Sequence, residues 1–410
     1  MGNLQGIQIN KIDGNLDRAT GTDDSVVLLV GSVPKGTAQI IHGKAIKFIQ
    51  TKDAEELKIN ESYDANQKTL AHYHISEVFR LAPNATVYFL PVAENSSISN
   101  VTTQVITAVK EHSEIKGIGY FGFTENLTQV AELVDNLQIS LVDELKKEGI
   151  LIDFVLLEGG NATGIENFNS YPNLREKNAP NVSVIIGQDA HIAELDSEYA
   201  RHGAIGSALG MLCIRQVSEN IGSVDILNKP ENKKGKNLYS LTEVGLKRFI
   251  TASLSTEQKI AELTNEQIQS LNKKGYIFIG PYVGAAGMFF SNSATCYTKT
   301  SDYAYIENNR VWNKAARLIR ETLAPFLKGK VKKDIETGYI KSTTITHWRQ
   351  VVYKGCIERM VADNDISGGE IHISEKQNPT EDHPLKIYAT IVADGIVHSF
   401  DVDLSLTNKI

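Results

Sequence analysis

Thiols are scarce in this chain of 410 residues: Cys213, Cys296 and Cys356 are the only cysteines, and no CxxC pair occurs. Three cysteines cannot all pair with one another, so neither a disulfide scaffold nor a structural zinc site is expected, and the usage fits a reducing compartment. Long apolar runs are missing as well. Nothing approaches the ~20 residues of a membrane span, and the opening MGNLQGIQINKIDGNLDR lacks the apolar stretch of a secretory signal. Gly6 stands where a myristoylation site wants Ser or Thr. Without secretion the sequons at Asn84 and Asn181 carry no meaning. Positive charge is also short, with 42 basic residues against 49 acidic ones and a net of −7. Such a chain is a poor general binder of nucleic acid, whose phosphates demand concentrated Lys and Arg.

What is present is enough for large cores: 41% hydrophobic and 22% charged residues place the chain among ordinary globular proteins. At ~150 residues per domain, two or three domains are expected. Short apolar runs read as buried strands at 25–31, 46–50, 87–92, 117–123, 151–157 and 182–187. Helical periodicity appears near 65–81, 101–112, 127–148 and 196–218. Buried strands alternating with amphipathic helices predict an α/β sheet with covered faces. The polar, basic stretch 228–238 reads as a linker or exposed loop. Beyond it, helices are predicted at 241–254, 264–273, 307–327 and 343–363. Two alternating strands close the chain, 385–393 and 396–406, with Asp394-Gly395 between them as a two-residue hairpin signal. Ile396, Phe400, Val402, Leu404 and Leu406 share one face with His398, and Asp401, Asp403 and Ser405 take the other. The first 20 residues have isolated apolar side chains at Leu4, Ile7 and Ile9, too few to make a core.

No catalytic constellation emerges. Gly31-Ser32-Val33-Pro34-Lys35-Gly36-Thr37 follows a strand, but its lysine precedes the second glycine, and Pro34 removes a backbone donor that a phosphate loop would use. It reads as a turn. Gly159-Gly160 with Gly164 does not match GxGxxG and leads into an Asn/Pro-rich loop. Gly206 and Gly210, four apart in a helical pattern with Gly203 before them, fit close helix packing. His72 and His74 point to different helix faces, and neither HExxH nor GxSxG occurs. Cys213 sits among Met211, Leu212 and Ile214 as a small hydrophobe, and Cys356 has His347 nearby with nothing to mark a nucleophile. No cofactor or metal is expected.

One local charge imbalance stands out. Residues 305–334 hold eight basic and three acidic side chains, a net of +5 in a negative chain. Within it Arg310, Lys314 and Arg317 follow i, i+4, i+7 spacing and line one helix face. That face reads either as solvated or as a docking surface for an acidic partner.

The carboxyl-terminal third resembles the tail sheath proteins of contractile bacteriophage tails and contractile injection systems. The resemblance rests on Gly275-Tyr276-Ile277-Phe278-Ile279, Thr300-Ser301-Asp302-Tyr303 and above all Asn309-Arg310-Val311-Trp312-Asn313-Lys314-Ala315-Ala316-Arg317. Leu323-Ala324-Pro325-Phe326-Leu327, the turn from Asp334 to Gly338 and the closing hairpin continue it across roughly 240–406, and Gly2 to Ile9 looks like a sheath amino-terminal arm. The middle, about 40–230, gives it little support.

The resemblance implies an α/β subunit, α+β overall. It divides the chain into an extended arm at 1–20, variable α/β domains at 21–239, a sheath-like domain with a mixed sheet at 240–384, and a terminal hairpin or arm at 385–410. It implies no enzyme but a virion-type structural protein. Such a subunit polymerises as stacked hexameric rings around an inner tail tube, meets baseplate and tail terminator proteins, and contracts to drive the tube through a target envelope. Assembly is expected in the bacterial cytoplasm before the subunit joins the particle, without nucleic acid and without direct membrane insertion. Strand exchange between subunits is implied for Leu4, Ile7, Ile9, Ile396, Phe400, Val402, Leu404 and Leu406, and tube or neighbour docking for Arg310, Lys314 and Arg317. Two competing readings remain: an α/β nucleotide-binding enzyme, which would use the glycine turns, and a non-contractile tube or shell protein, which would also use arms and charged faces.

Overall fold

The computed structural model describes residues 23–160, 168–224, 240–380, 383–398, 400–402, 404 and 406. Six strands form the main sheet: β1 (Val26–Ser32), β2 (Ile46–Phe48), β3 (Thr86–Val92), β4 (Gly117–Phe121), β5 (Phe154–Glu158) and β6 (Val182–Ile185), in the order β2-β3-β1-β4-β5-β6. All neighbours are parallel except the edge strand β2, which runs antiparallel to β3. Leu28 lies opposite Tyr88 on one side and Ile118 on the other. The inner strands are buried along both faces, which is why they read as continuous apolar runs without alternation.

The helices that accompany these strands along the chain are α1 (Thr51–Glu56), α2 (Glu61–Gln67), α3 (Ala71–Leu81), α4 (Ile98–Glu111), α5 (Leu127–Leu137), α6 (Glu144–Lys147), α7 (Ala190–Ala193) and α8 (Ile205–Ile214). Local chemistry sets their ends. Asn126 and Gln129 form a capping box at the start of α5, and Ser97 caps α4. The single helix expected over 65–81 is instead two, because Lys68 takes a left-handed backbone (φ 53°). The carboxylate of Asp64 then accepts the N–H groups of His72 (3.0 Å) and Tyr73 (2.9 Å) as α3 begins. The expected helix over 127–148 is continuous, but a π-type turn at Gln138–Asp143 joins α5 to α6.

Helices α3 and α8 pack so closely that glycine is needed, as the Gly206/Gly210 spacing predicts. A Cβ on Gly206 would stand 2.3 Å from the carbonyl oxygen of His74, and one on Gly210 would stand 2.9 Å from Leu81.

The helix expected at 241–254 does not form. Thr242, Val244, Ile250 and Thr251 disfavour it by β-branching, and Gly245 by its freedom. In its place, a turn at 243–248 leads into β8 (Ala252–Leu254), which pairs antiparallel with β7 (Gly187–Asp189). Asp189 holds the arrangement by accepting the Phe249 N–H at 2.9 Å. Next come α9 (Asn265–Lys274), capped by Thr264 and ended by left-handed Gly275, and a hairpin of β9 (Ile279–Pro281) and β10 (Met288–Phe290). Ile277 bridges Ile185 in parallel, and its N–H donates to Val184 at 3.0 Å. Residues 241–306 therefore add Leu241, Phe249, Leu254, Tyr276, Ile279 and Phe290 to the core of the main sheet. Residues on both sides of the boundary expected at 240, Ile221 and Leu241 among them, belong to that core.

A second core belongs to α10 (Ile306–Leu323), α11 (Ser342–Val352), α12 (Arg359–Ala362), β11 (Gly368–His372) and β12 (Tyr388–Val392). Val311, Ala315, Leu318, Ile345, Val352, Cys356, Met360 and Ile371 fill it. The terminal hairpin is a correction. Strand β12 pairs antiparallel with β11, Gly369 opposite Ile391 and Ile371 opposite Ala389, and not with the described residues beyond Asp394-Gly395. Pairing with β11 sets Leu385, Ile387 and Ile391 against the helices, a burial that outweighs a local turn preference.

The helix contact yields a stability test. Gly206→Ala should cost about 1–3 kcal/mol because backbone must shift to admit the methyl group. Gly395→Ala, at a position with nothing within 4 Å, should stay within about 0.5 kcal/mol. Denaturant unfolding of both variants measures the difference, and equal costs would contradict the packing account.

Candidate functional site

The polar residues of α10 converge on carboxylates from three distant parts of the chain. Asp24 precedes β1, Asp153 precedes β5, and Asp365 lies between α12 and β11. The Lys314 ammonium is 2.8 Å from Asp24, 2.7 Å from Asp365 and 3.7 Å from Asp363. Arg317 grips Asp153 with two nitrogens, at 2.7 and 3.2 Å, and reaches Asp24 at 3.8 Å. Asn313 adds a bond to Asp153 at 2.9 Å. Arg310 is fully buried; it donates to the Gln216 carbonyl at 3.3 Å and lies over the Phe154 ring at 6.0 Å.

This placement corrects the reading of Arg310, Lys314 and Arg317 as a solvated or partner-facing surface. The helix lies between the two cores: Val311, Ala315 and Leu318 enter the second, and the basic stripe faces the first. The missed carboxylates had a faint sequence signal, an aspartate just ahead of an apolar strand in Asp24-Ser25-Val26 and in Asp153-Phe154-Val155.

The electrostatics follow from burial and pairing. Burial pushes the Asp24 carboxyl up, but Lys314, then Arg310 and Arg317, more than reverse this and hold it below the ordinary 3.8. Burial disfavours charge on Lys314, and the Asp24 and Asp365 carboxylates overcome it and raise its pKa. For Asp365, burial together with Asp24 and Asp363 outweighs Lys314, and its carboxyl is pushed up.

The parallel sheet reverses direction at β1, the place where open α/β sheets usually bind ligands. Here protein fills it. A Cβ on Gly31 would stand 2.4 Å from the Phe121 ring, and one on Gly159 2.6 Å from Ile186, so these glycines admit side chains. The Glu158 carboxylate takes the N–H groups of Gly122 and Gly203, each at 2.7 Å, donors that a phosphate would otherwise use. Burial drives its pKa up to about 7 against those two bonds.

The terminal segment is the opposite case. His398 stacks on Tyr305 at 5.0 Å, and Arg175 lies over the same ring at 5.2 Å. Ile396 is half-buried, while Phe400, Val402, Leu404 and Leu406 are 76–99% exposed, an alternating apolar face without cover among the described residues. Leu4, Ile7 and Ile9 lie outside the described residues. Among the described residues no helix is long and apolar enough to cross a membrane.

The ion node predicts a specific loss. Lys314→Met leaves Asp24 and Asp365 buried without their shared cation and should cost about 3–5 kcal/mol in denaturant unfolding. Acid should act through Asp24. Its folded pKa lies below its unfolded one, so its contribution is full above about pH 4 and fades as pH falls through the folded value. Asp24→Asn should flatten that acid limb of the stability profile, and an unchanged limb would contradict the assignment.

The fold is shared with solved chains of contractile injection systems. One, in a cryo-EM structure of the anti-feeding prophage (AFP) baseplate, 6-fold symmetrised, is 14% identical with a TM-score of 0.59, covering 99% of this chain and 100% of that one. Another comes from an extracellular contractile injection system, the PVC sheath complex in the contracted state. It is 12% identical with a TM-score of 0.56, covering 100% and 99%. A third, in the AFP baseplate in the contracted state, is 11% identical with a TM-score of 0.54 and covers 99% of each chain. No curated protein matches in sequence. Residues 4–294 match the profile described as DUF2586, N-terminal domain, and residues 302–410 that described as DUF2586, C-terminal domain, so the chain belongs to the DUF2586 family.

Proposed function

We propose that this chain is a structural subunit of a contractile injection apparatus, and within it the sheath subunit. The observation that carries the reading is a likeness to a chain of a contracted sheath complex that covers 100% of this chain and 99% of that one. In this role copies stack as hexameric rings around an inner tail tube, between a baseplate and a terminator, and contraction drives the tube through a target envelope. Assembly takes place in the bacterial cytoplasm. The uncovered face of Phe400, Val402, Leu404 and Leu406 supports strand exchange. An extended segment of this pattern gains backbone hydrogen bonds and buries its apolar side chains when it joins a neighbour's sheet edge. The amino-terminal residues Leu4, Ile7 and Ile9 are proposed to do the same. Joints of this kind keep subunits connected while rigid cores rotate. A second reading, a subunit of a baseplate ring, draws on the two AFP baseplate structures.

Truncation and microscopy test the proposal. The purified chain, concentrated and stained, should form long ribbed tubes; rings of fixed size would favour the baseplate reading, and isolated globules would reject both. Deleting residues 400–410 removes only exposed side chains among those described, so the unfolding free energy should change by less than about 0.5 kcal/mol. Tubes should be lost. Normal tubes from this deletion would remove strand exchange at this end.

A further inference from the structure

Lys314 and Arg317 are spent on internal ion pairs and Arg310 is buried, but a second group of lysines nearby is neither. Lys328, Lys330, Lys332 and Lys333 follow the end of α10 on an exposed loop. Lys341 joins them through the fold: its N–H donates to the Lys332 carbonyl at 3.1 Å, and Ile340 bridges Lys333 in antiparallel fashion. Lys333 donates to the Asn378 side chain at 2.6 Å. Among the described residues no carboxylate lies within ion-pair distance of any of the five, whereas Lys314 has three. The nearest acid in sequence, Asp334, accepts from Glu336 N–H at 3.1 Å and from Thr337 N–H and hydroxyl at 2.9 Å, and Lys341 acts on it through its charge alone, beyond ion-pair distance. Glu336 is exposed on the same turn.

Apolar side chains stand among these ammonium groups. Ile335 is 97% exposed, Leu327 76% and Tyr339 39%. A phosphate backbone would pair with the lysines and leave these three in water, while a protein face would bury them. Charge distribution points to the source of that face. Residues 302–410 carry fifteen basic and fifteen acidic side chains, so the whole excess of seven acids lies in 1–301.

We propose that the loop bearing Lys328, Lys330, Lys332 and Lys333, with Lys341, Leu327, Ile335 and Tyr339, docks on an acidic face of the amino-terminal part of a second copy of this chain. The contact is heterologous: the two copies use different surfaces, so each added copy leaves a new lysine loop free and the series continues into a ring or a filament. The proposal rests on the reading of the chain as a self-polymerising subunit, and it locates one of that polymer's contacts away from the terminal strands.

Sedimentation of the full-length chain over a salt series tests it. The parent should associate, and association should weaken as salt rises from about 50 to about 500 mM. Replacing Lys328, Lys330, Lys332 and Lys333 together by Gln should weaken association about tenfold at low salt and flatten the salt dependence. The four-arginine variant should behave as the parent. Circular dichroism checks folding, and if the four-glutamine chain is unfolded, Lys330→Gln and Lys332→Gln singly should each show a smaller loss of the same sign. A parent that associates beside a folded four-glutamine variant that associates equally well overturns the docking surface and leaves the polymer reading intact. A variant that associates normally but loses retention on poly-L-glutamate or double-stranded DNA overturns the second copy as occupant. A parent that stays monomeric at every salt overturns both readings.

Discussion

Lys314 and Arg317, paired with Asp24, Asp153 and Asp365, tie α10 to segments of both cores. A helix between two cores cannot be apolar on one stripe alone, because neither side offers it water. Here the stripe toward the second core is Val311, Ala315 and Leu318, and the stripe toward the main sheet is charged. Burying Lys314 and Arg317 is tolerable because each finds carboxylates within 4 Å, whereas the buried Arg310 is held by the Gln216 carbonyl and the Phe154 ring. An apolar stripe of the same volume would hold the cores together as well. The charged one additionally fixes which turn of the helix meets which strand, since a slip of one turn would separate Arg317 from Asp153.

The main sheet was legible because strands buried on both faces leave an unambiguous apolar run. All six expected runs hold strands of the sheet, and the last continues into β7. Failures came where tertiary contacts decide. Asp394-Gly395 is a sound local hairpin signal, yet β12 gains more by pairing with β11, a strand whose glycines and polar residues gave no apolar run to find. The segment 241–254 followed a helical period but is built around Asp189, 60 residues away. The basic stripe is legible in its spacing and its helix, but its destination is not, because three single aspartates scattered over more than 300 residues form no pattern along a chain.

The glycine turns show the same limit from another side. A strand followed by glycine at the reversal point of a parallel sheet is the place to look for a bound phosphate. Here Gly31 makes room for Phe121, and Glu158 occupies the free N–H groups of Gly122 and Gly203. The sheet keeps an architecture that elsewhere serves ligand binding, with protein atoms in the ligand's place.

Asp24 lies two residues ahead of β1, and its carboxylate is held by the same ammonium that holds Asp365 at the root of β11. A tug on the backbone ahead of Asp24 therefore does not begin by unzipping β1 from its edge, one hydrogen bond at a time. It is taken up at a knot where a strand of the first core, a helix of the second and the base of the terminal sheet must give way together, and bonds loaded in parallel resist far more force than the same bonds loaded in series.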